Sequence, residues 1–138
     1  FFEAKQKLQQ IVTSLDHFVL LPTQSPSIQI HENMDQITVK TGDKQYEFPK
    51  LDCKFLLIPA TTAECLANYI YQQLKPFFSS YLLRVELAES EGSVAIYTDW
   101  KDLYGKFFLF TVFNFLEFPL SRVGSLAVIT LRLRRDET

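Results

Sequence analysis

Residues 81–98 read YLLRVELAESEGSVAIYT, and this stretch decides the fold class. Its first half alternates apolar and charged side chains, the period-two pattern of a half-buried strand: Leu83, Val85 and Leu87 against Arg84 and Glu86. A polar turn at 89–92 separates this strand from a second one, SVAIYT. The stretch therefore predicts an antiparallel hairpin with one face against a core.

Two more strands are predicted towards the C-terminus. Residues 126–134, LAVITLRLR, alternate in the same way, whereas the run 107–116 is apolar at almost every position. Six of the 13 Phe of the chain fall between Phe107 and Phe118. A strand that is apolar on both faces needs cover on both sides. Together the four segments predict one antiparallel sheet.

Two segments show helical spacing instead. Residues 1–15 carry a single apolar stripe, and residues 61–75 carry another that stops before Pro76. At the start of the second helix, Thr61 is the expected N-cap and Glu64 its capping-box partner. The fold class predicted is α+β, a four-stranded antiparallel sheet with two helices on one face.

The chain is expected to form one domain over residues 1–138. Its 138 residues suit a domain of ordinary size. Short strand patterns within 23–58, with Gly42 in a turn, predict an extra hairpin insert between the two helices.

Composition excludes several classes of protein. With 14 basic and 16 acidic residues the chain lacks the basic excess of a nucleic-acid binder. The Phe-rich run is interrupted by polar residues and is shorter than the roughly 20 residues that a membrane span needs. Cys53 and Cys65 fit no metal or redox spacing, which favours free thiols in a cytoplasmic protein.

Three motif pairs occur in order along residues 1–98. They are LDH at 15–17 with LLP at 20–22, TTAE at 61–64 running to LKP at 74–76, and VELAES at 85–90 with AIY at 95–97. Taken together, they resemble the 6-pyruvoyl-tetrahydropterin synthase family, which includes 6-carboxy-tetrahydropterin synthase. The resemblance implies the family's tunnelling fold, or T-fold.

The order of elements departs from that family. Its fold has two strands, two helices and two further strands, whereas here residues 106–134, which resemble the first strand pair, come last. A circular permutation or a cut from a tandem array would explain this rotation and the absence of an initial Met. The rotated order is therefore a prediction that depends on the resemblance.

The metal site also departs from the family. The family binds zinc through three His, and the matching positions here are Asn114, Val123 and Ser125, none of them a competent zinc ligand in this setting. Pro119 stands near the place of the family's nucleophilic Cys. We expect no metal ligand and no cofactor from this chain.

Two sets of candidate site residues follow from the resemblance. By the resemblance, Asp16 and His17 match a catalytic pair that relays protons. Such a pair suits proton transfer, because a carboxylate orients an imidazole and raises its basicity. The structural alternative is a His favoured by a helix C-terminus. Glu89 matches a carboxylate that binds the pterin edge, and the alternative is an ordinary turn acid. Thr61 and Thr62 match residues along the pterin pocket as well as helix caps.

The resemblance implies a lyase that acts on 7,8-dihydroneopterin triphosphate, with Glu89 holding the pterin. The alternative is a zinc-less pterin-binding or structural subunit without catalysis. The implied partners are a pterin-like small molecule and further copies of the chain, joined through sheet edges into a homo-oligomer. Neither nucleic acid nor a membrane is expected as a partner.

Overall fold

The computed structural model describes residues 2–90, 93–99, 108–116 and 125–135. Within these ranges the α-helices and strands are, in chain order, α1 (Phe2–Leu15), β1 (Val19–Pro22), β2 (Ile28–Glu32), β3 (Gln36–Thr41), β4 (Lys44–Pro49), β5 (Cys53–Leu56), α2 (Ala63–Leu74), β6 (Tyr81–Ser90), β7 (Ser93–Thr98), β8 (Phe108–Leu116) and β9 (Ser125–Arg135). Short 3-10 helices span Lys50–Asp52 and Lys75–Phe78. The predicted α+β class is confirmed. With 14 and 12 residues, neither described helix reaches the length of a bilayer span.

Helix α1 forms because its apolar residues recur every three or four positions. Ala4, Leu8, Val12 and Leu15 are buried on one stripe, while the polar positions between them face solvent. The helix ends where His17 adopts a positive φ of 64°, a left-handed conformation that closes helix C-termini.

Helix α2 is capped one residue later than the sequence predicts. The Thr62 hydroxyl, not that of Thr61, accepts a hydrogen bond from the Cys65 N–H at 3.3 Å. Glu64 consequently occupies the second helical position, where it cannot complete a capping box. The assignment of Thr61 as N-cap was wrong because two adjacent Thr offer the same hydroxyl, and the sequence does not distinguish between them.

The main sheet has four antiparallel strands in the order β7-β6-β9-β8. Alternate residues of β6 and β9 are buried in one cluster with the apolar stripes of both helices: Leu83, Val85, Leu87, Ile129, Leu131 and Leu133. Both helices therefore cover the same face, as predicted. Charged residues occupy the intervening positions, where Glu86 lies 3.0 Å from Arg84 and 3.3 Å from Arg132.

The segment between the helices builds a second, smaller layer. Strands β2, β3 and β4 form an antiparallel meander, and the β3–β4 turn places Gly42 at a φ of 59° as its sequence predicts. Strand β1 pairs with β5 in parallel. Leu21 of β1 packs with Ile28, Ile37 and Val39, so the insert has its own small core.

The start of α1 and the end of β9 lie near one another. A cavity of about 110 Å³ is lined by Glu3 and Ala4 of α1, by Leu133 of β9 and by neighbouring aromatic residues. Such proximity is compatible with the rotated element order, which stays a prediction. The sequence also predicts that the Phe-rich run is covered on both faces. This prediction concerns side chains that lie outside the described residues.

Candidate functional site

A cavity of about 480 Å³ opens beside the N-terminus of α2, and we call it the α2 cavity. Three parts of the chain wall it: the loop after β1, the segment that leads into α2, and the start of β7. The polar lining residues among those described are Ser25, Ser27, Thr61, Thr62, Glu64 and Ser93. Its volume falls in the range of small-molecule sites, which is about 300–1,000 Å³.

The two predicted Thr residues lie in this wall. Thr62 uses its hydroxyl to cap α2, whereas Thr61 precedes the cap and is half-buried at the cavity surface. Both roles proposed for the Thr pair, capping and lining a pocket, are thus compatible with the geometry. The role in ligand binding stays a prediction.

Glu64 is a cavity residue that the sequence analysis used only as a capping partner. It projects from the first turn of α2 and is exposed at the cavity wall. Among the described residues that line the α2 cavity, none is Lys, Arg or His. Carboxylate, hydroxyl and backbone groups of this kind suit a neutral ligand that is rich in N–H donors.

Glu89 lies on the strand next to the cavity. It belongs to β6, between Ala88, which pairs with Val94, and Ser90, which pairs with Ser93. The pairing register shifts at this point, and both partners line the α2 cavity. The backbone of Glu89 is therefore adjacent to the cavity, while its side chain lies outside the described residues.

Asp16 and His17 form the predicted pair, at the end of α1. His17 Nδ1 lies 3.0 Å from Asp16 Oδ2, and the side chains are 80% and 20% exposed. Neither residue is among those that line the α2 cavity. Within one chain, the structure thus forms the carboxylate–imidazole pair but does not bring it to the α2 cavity.

A third polar cluster was missed by the sequence analysis. Asp99 accepts hydrogen bonds from the Tyr71 hydroxyl, from Lys75 Nζ at 2.6 Å and from the Leu83 N–H at 3.1 Å. Burial alone would raise the pKa of Asp99, but the hydrogen bonds from Lys75 and Tyr71 outweigh it and lower that pKa. Burial and the contact with Asp99 raise the pKa of the Tyr71 hydroxyl.

The Asp99 cluster is structural in character. Its donors and acceptors are mutually satisfied, and it joins the end of α2 to β6 and to the residue after β7. The signal that could have found it is faint, since its other members precede Asp99 by 16 to 28 residues and share no motif with it.

The assignment of the family's zinc positions to Asn114, Val123 and Ser125 stays a prediction, since these residues lie beyond the segment that matches the family. Asn114 offers an amide, Ser125 a neutral hydroxyl and Val123 no donor, whereas zinc sites use thiolate, imidazole and carboxylate ligands. The described parts of the chain hold no group of three His, Cys, Asp or Glu able to bind a metal ion. We derive no chemical step through zinc.

Comparison with known proteins identifies the family. Residues 1–99 match the 6-pyruvoyl tetrahydropterin synthase family. The chain belongs to this family. It is also 32% identical over 92 residues to a putative 6-carboxy-5,6,7,8-tetrahydropterin synthase of Methanocaldococcus jannaschii, a match that covers 64% of this chain and 56% of that protein.

Solved structures of 6-pyruvoyl tetrahydropterin synthases share the fold. The Plasmodium vivax enzyme superposes with a TM-score of 0.65 at 29% identity, over 71% of this chain and 66% of that one. The Plasmodium falciparum enzyme gives a TM-score of 0.65 at 26% identity, over 73% and 68%. The tunnelling fold is thereby confirmed. The chain spans 56% of its curated relative, and β8 and β9 lie beyond the family match.

Proposed function

We propose that the chain binds a reduced pterin in the α2 cavity and acts as a lyase on 7,8-dihydroneopterin triphosphate. The observation that carries the proposal is the α2 cavity itself, which is walled by the Thr61–Thr62 motif inside the segment that matches the family. A volume of about 480 Å³ accommodates a bicyclic ring, and the lining carries oxygen acceptors for its N–H groups.

Glu89 is the proposed anchor for the pterin ring. A carboxylate can accept two parallel N–H bonds from the 2-amino-4-oxo edge, a charge-assisted pairing with strong geometric selectivity. The position of Glu89 supports this role, because its neighbours across the strand pair, Ser93 and Val94, line the cavity.

Asp16 and His17 are the proposed proton-transfer residues. Asp16 faces Nδ1 of the imidazole, which leaves Nε2 to exchange a proton with the substrate. The buried Asp16 Oδ1 has no hydrogen-bond partner among the described residues, so it is available to accept a hydrogen bond from another molecule. Because this pair lies away from the α2 cavity, we propose that a second copy of the chain brings it there.

A homo-oligomer through sheet edges would supply that second copy. β7 and β8 are the outer strands of the main sheet, and β7 exposes Val94, Ile96 and Tyr97. An edge with unpaired backbone groups and apolar side chains is suited to pairing with another chain. The free thiols of Cys53 and Cys65 support a cytoplasmic location.

The alternative is a pterin-binding or scaffolding subunit without catalysis. The specific observation in its favour is the donor set at Asn114, Val123 and Ser125, together with Pro119 near the place of the nucleophile. Under this proposal the α2 cavity and the oligomer are kept while the chemistry is lost.

Pterin titration and a turnover assay on the same protein test the proposal. We expect neopterin to bind saturably, and Glu89→Gln to weaken binding about tenfold or more, since a charge-assisted hydrogen bond contributes about 1.5–3 kcal/mol. Glu47→Gln, on the exposed strand β4, is the matched control and should bind as the wild type does. Equal binding by Glu89→Gln would rule out the anchor.

The assay with 7,8-dihydroneopterin triphosphate then separates the two functions. Release of triphosphate supports the lyase, and pterin binding without turnover supports the scaffold. Zinc that remains in stoichiometric amount after dialysis would overturn the assignment of Asn114, Val123 and Ser125 as incompetent positions.

A further inference from the structure

A second cavity, of about 490 Å³, lies between β5 and α2, and we call it the β5 groove. One wall is β5 with the residues that follow it, and the other is the solvent-facing side of α2. The residues that shape it are Phe55, Leu57, Asn68, Tyr69, Gln72 and Gln73. Among the residues that the structure describes, Pro59 alone lines both this groove and the α2 cavity.

The strand wall exposes large apolar side chains. Phe55 and Leu57 are 41% and 78% exposed, while Leu56 and Ile58 between and after them are buried in the core. This alternation turns one side of the strand inward and leaves the other side as an apolar wall of the groove. An apolar ligand that covered this wall would gain free energy from the area removed from water.

The helix wall supplies paired amides. Gln72 Nε2 donates to Asn68 Oδ1 at 3.2 Å, one helical turn apart. That bond orients the pair so that Asn68 retains its amide N–H groups and Gln72 its carbonyl oxygen for a ligand. Tyr69 lies between them in sequence and also lines the groove, adding an aromatic surface.

We infer that the β5 groove binds an uncharged, planar nitrogen heterocycle of the purine nucleobase class. Asn and Gln amides match the adjacent donor and acceptor of an adenine edge, and aromatic side chains stack on its ring. No described residue of the groove lining is charged, which favours a neutral ligand over a phosphate. This site is separate from the proposed pterin site and does not depend on it.

Adenosine is the probe for this site, titrated into the full chain by NMR or calorimetry. We expect saturable binding that Gln72→Ala weakens about 2- to 12-fold, the loss of one hydrogen bond. Phe55→Ala should weaken it about fivefold or more through lost stacking. The matched control is Gln9→Ala, which removes another exposed amide, one that donates to Thr13 one turn away on α1; this variant should bind adenosine as the wild type does.

Several outcomes would overturn the inference. Absence of saturable adenosine binding up to its solubility limit would do so, as would equal binding by the wild type and both groove variants. Loss of adenosine binding in the Glu89→Gln variant would mean that adenosine binds in the α2 cavity and not in the β5 groove. Neopterin titrated into Gln72→Ala gives the converse check, because pterin binding should be unchanged; failure of neopterin to bind at all would bear only on the proposed function.

Discussion

Lys75 Nζ lies 2.6 Å from Asp99 Oδ2, so the C-cap of α2 is tied directly to the residue that follows β7. The same ammonium donates to the carbonyl of Tyr81 at 2.8 Å, and the same carboxylate accepts from the N–H of Leu83. One ion pair therefore holds the helix, the first residues of β6 and the end of β7 in a fixed relation.

Asp99→Asn should destabilise the chain by about 1–3 kcal/mol, because the partly buried Lys75 and Tyr71 would lose their charged acceptor. Urea unfolding followed by circular dichroism measures the change. The control is Asp43→Asn in the exposed β3–β4 turn, which should change the free energy of unfolding by less than about 0.5 kcal/mol. Equal free energies of unfolding for Asp99→Asn and Asp43→Asn would mean that the charge of Asp99 does not stabilise the fold.

Stability should also depend on pH through Asp99. Its folded pKa is lowered below the unfolded value of about 3.9, so its contribution is fully present above that pH and is lost as the pH falls through the lower folded value. The difference in unfolding free energy between wild type and Asp99→Asn should therefore shrink as the pH is lowered from about 5 to 3. A difference that stayed constant over this range would contradict a lowered pKa.

Leu131→Ala should lower the free energy of unfolding by about 2–5 kcal/mol, as expected for a fully buried leucine. The residue lies on β9, beyond the segment that matches the family, yet it pairs with Val85 and packs in the main core. Val94→Ala on the exposed edge of β7 is the control and should cost far less. Denaturant unfolding compares them, and a small effect of Leu131→Ala would mean that β9 is not integral to the folded domain.

Much of the fold could be predicted from periodicity. The buried stripe of α1 and the alternation in β6 are local patterns, and each predicted the correct element and the correct inward face. The parallel pairing of β1 with β5 could not be predicted, because two four-residue strands about 30 residues apart carry no signal for their register.

The candidate site was less predictable than the fold. A motif predicted that the Thr pair lines the pocket, but it could not distinguish Thr62 from Thr61 as the cap, because both residues carry the same hydroxyl. Glu64 and Asp99 were missed as site and cluster residues, because their roles arise from neighbours that only the tertiary structure brings together.

His17→Gln should lower lyase turnover about 100- to 10,000-fold if His17 is the proton-transfer residue, the usual contribution of a general acid or base. Because the His17 side chain is 80% exposed, the free energy of unfolding should stay near the wild-type value. Asp16→Asn should lower turnover as well, since the imidazole loses the carboxylate 3.0 Å away that orients it. The matched control is His31→Gln on exposed strand β2, with turnover unchanged. Equal turnover by His17→Gln and His31→Gln would return the Asp16–His17 pair to a purely structural role at the end of α1.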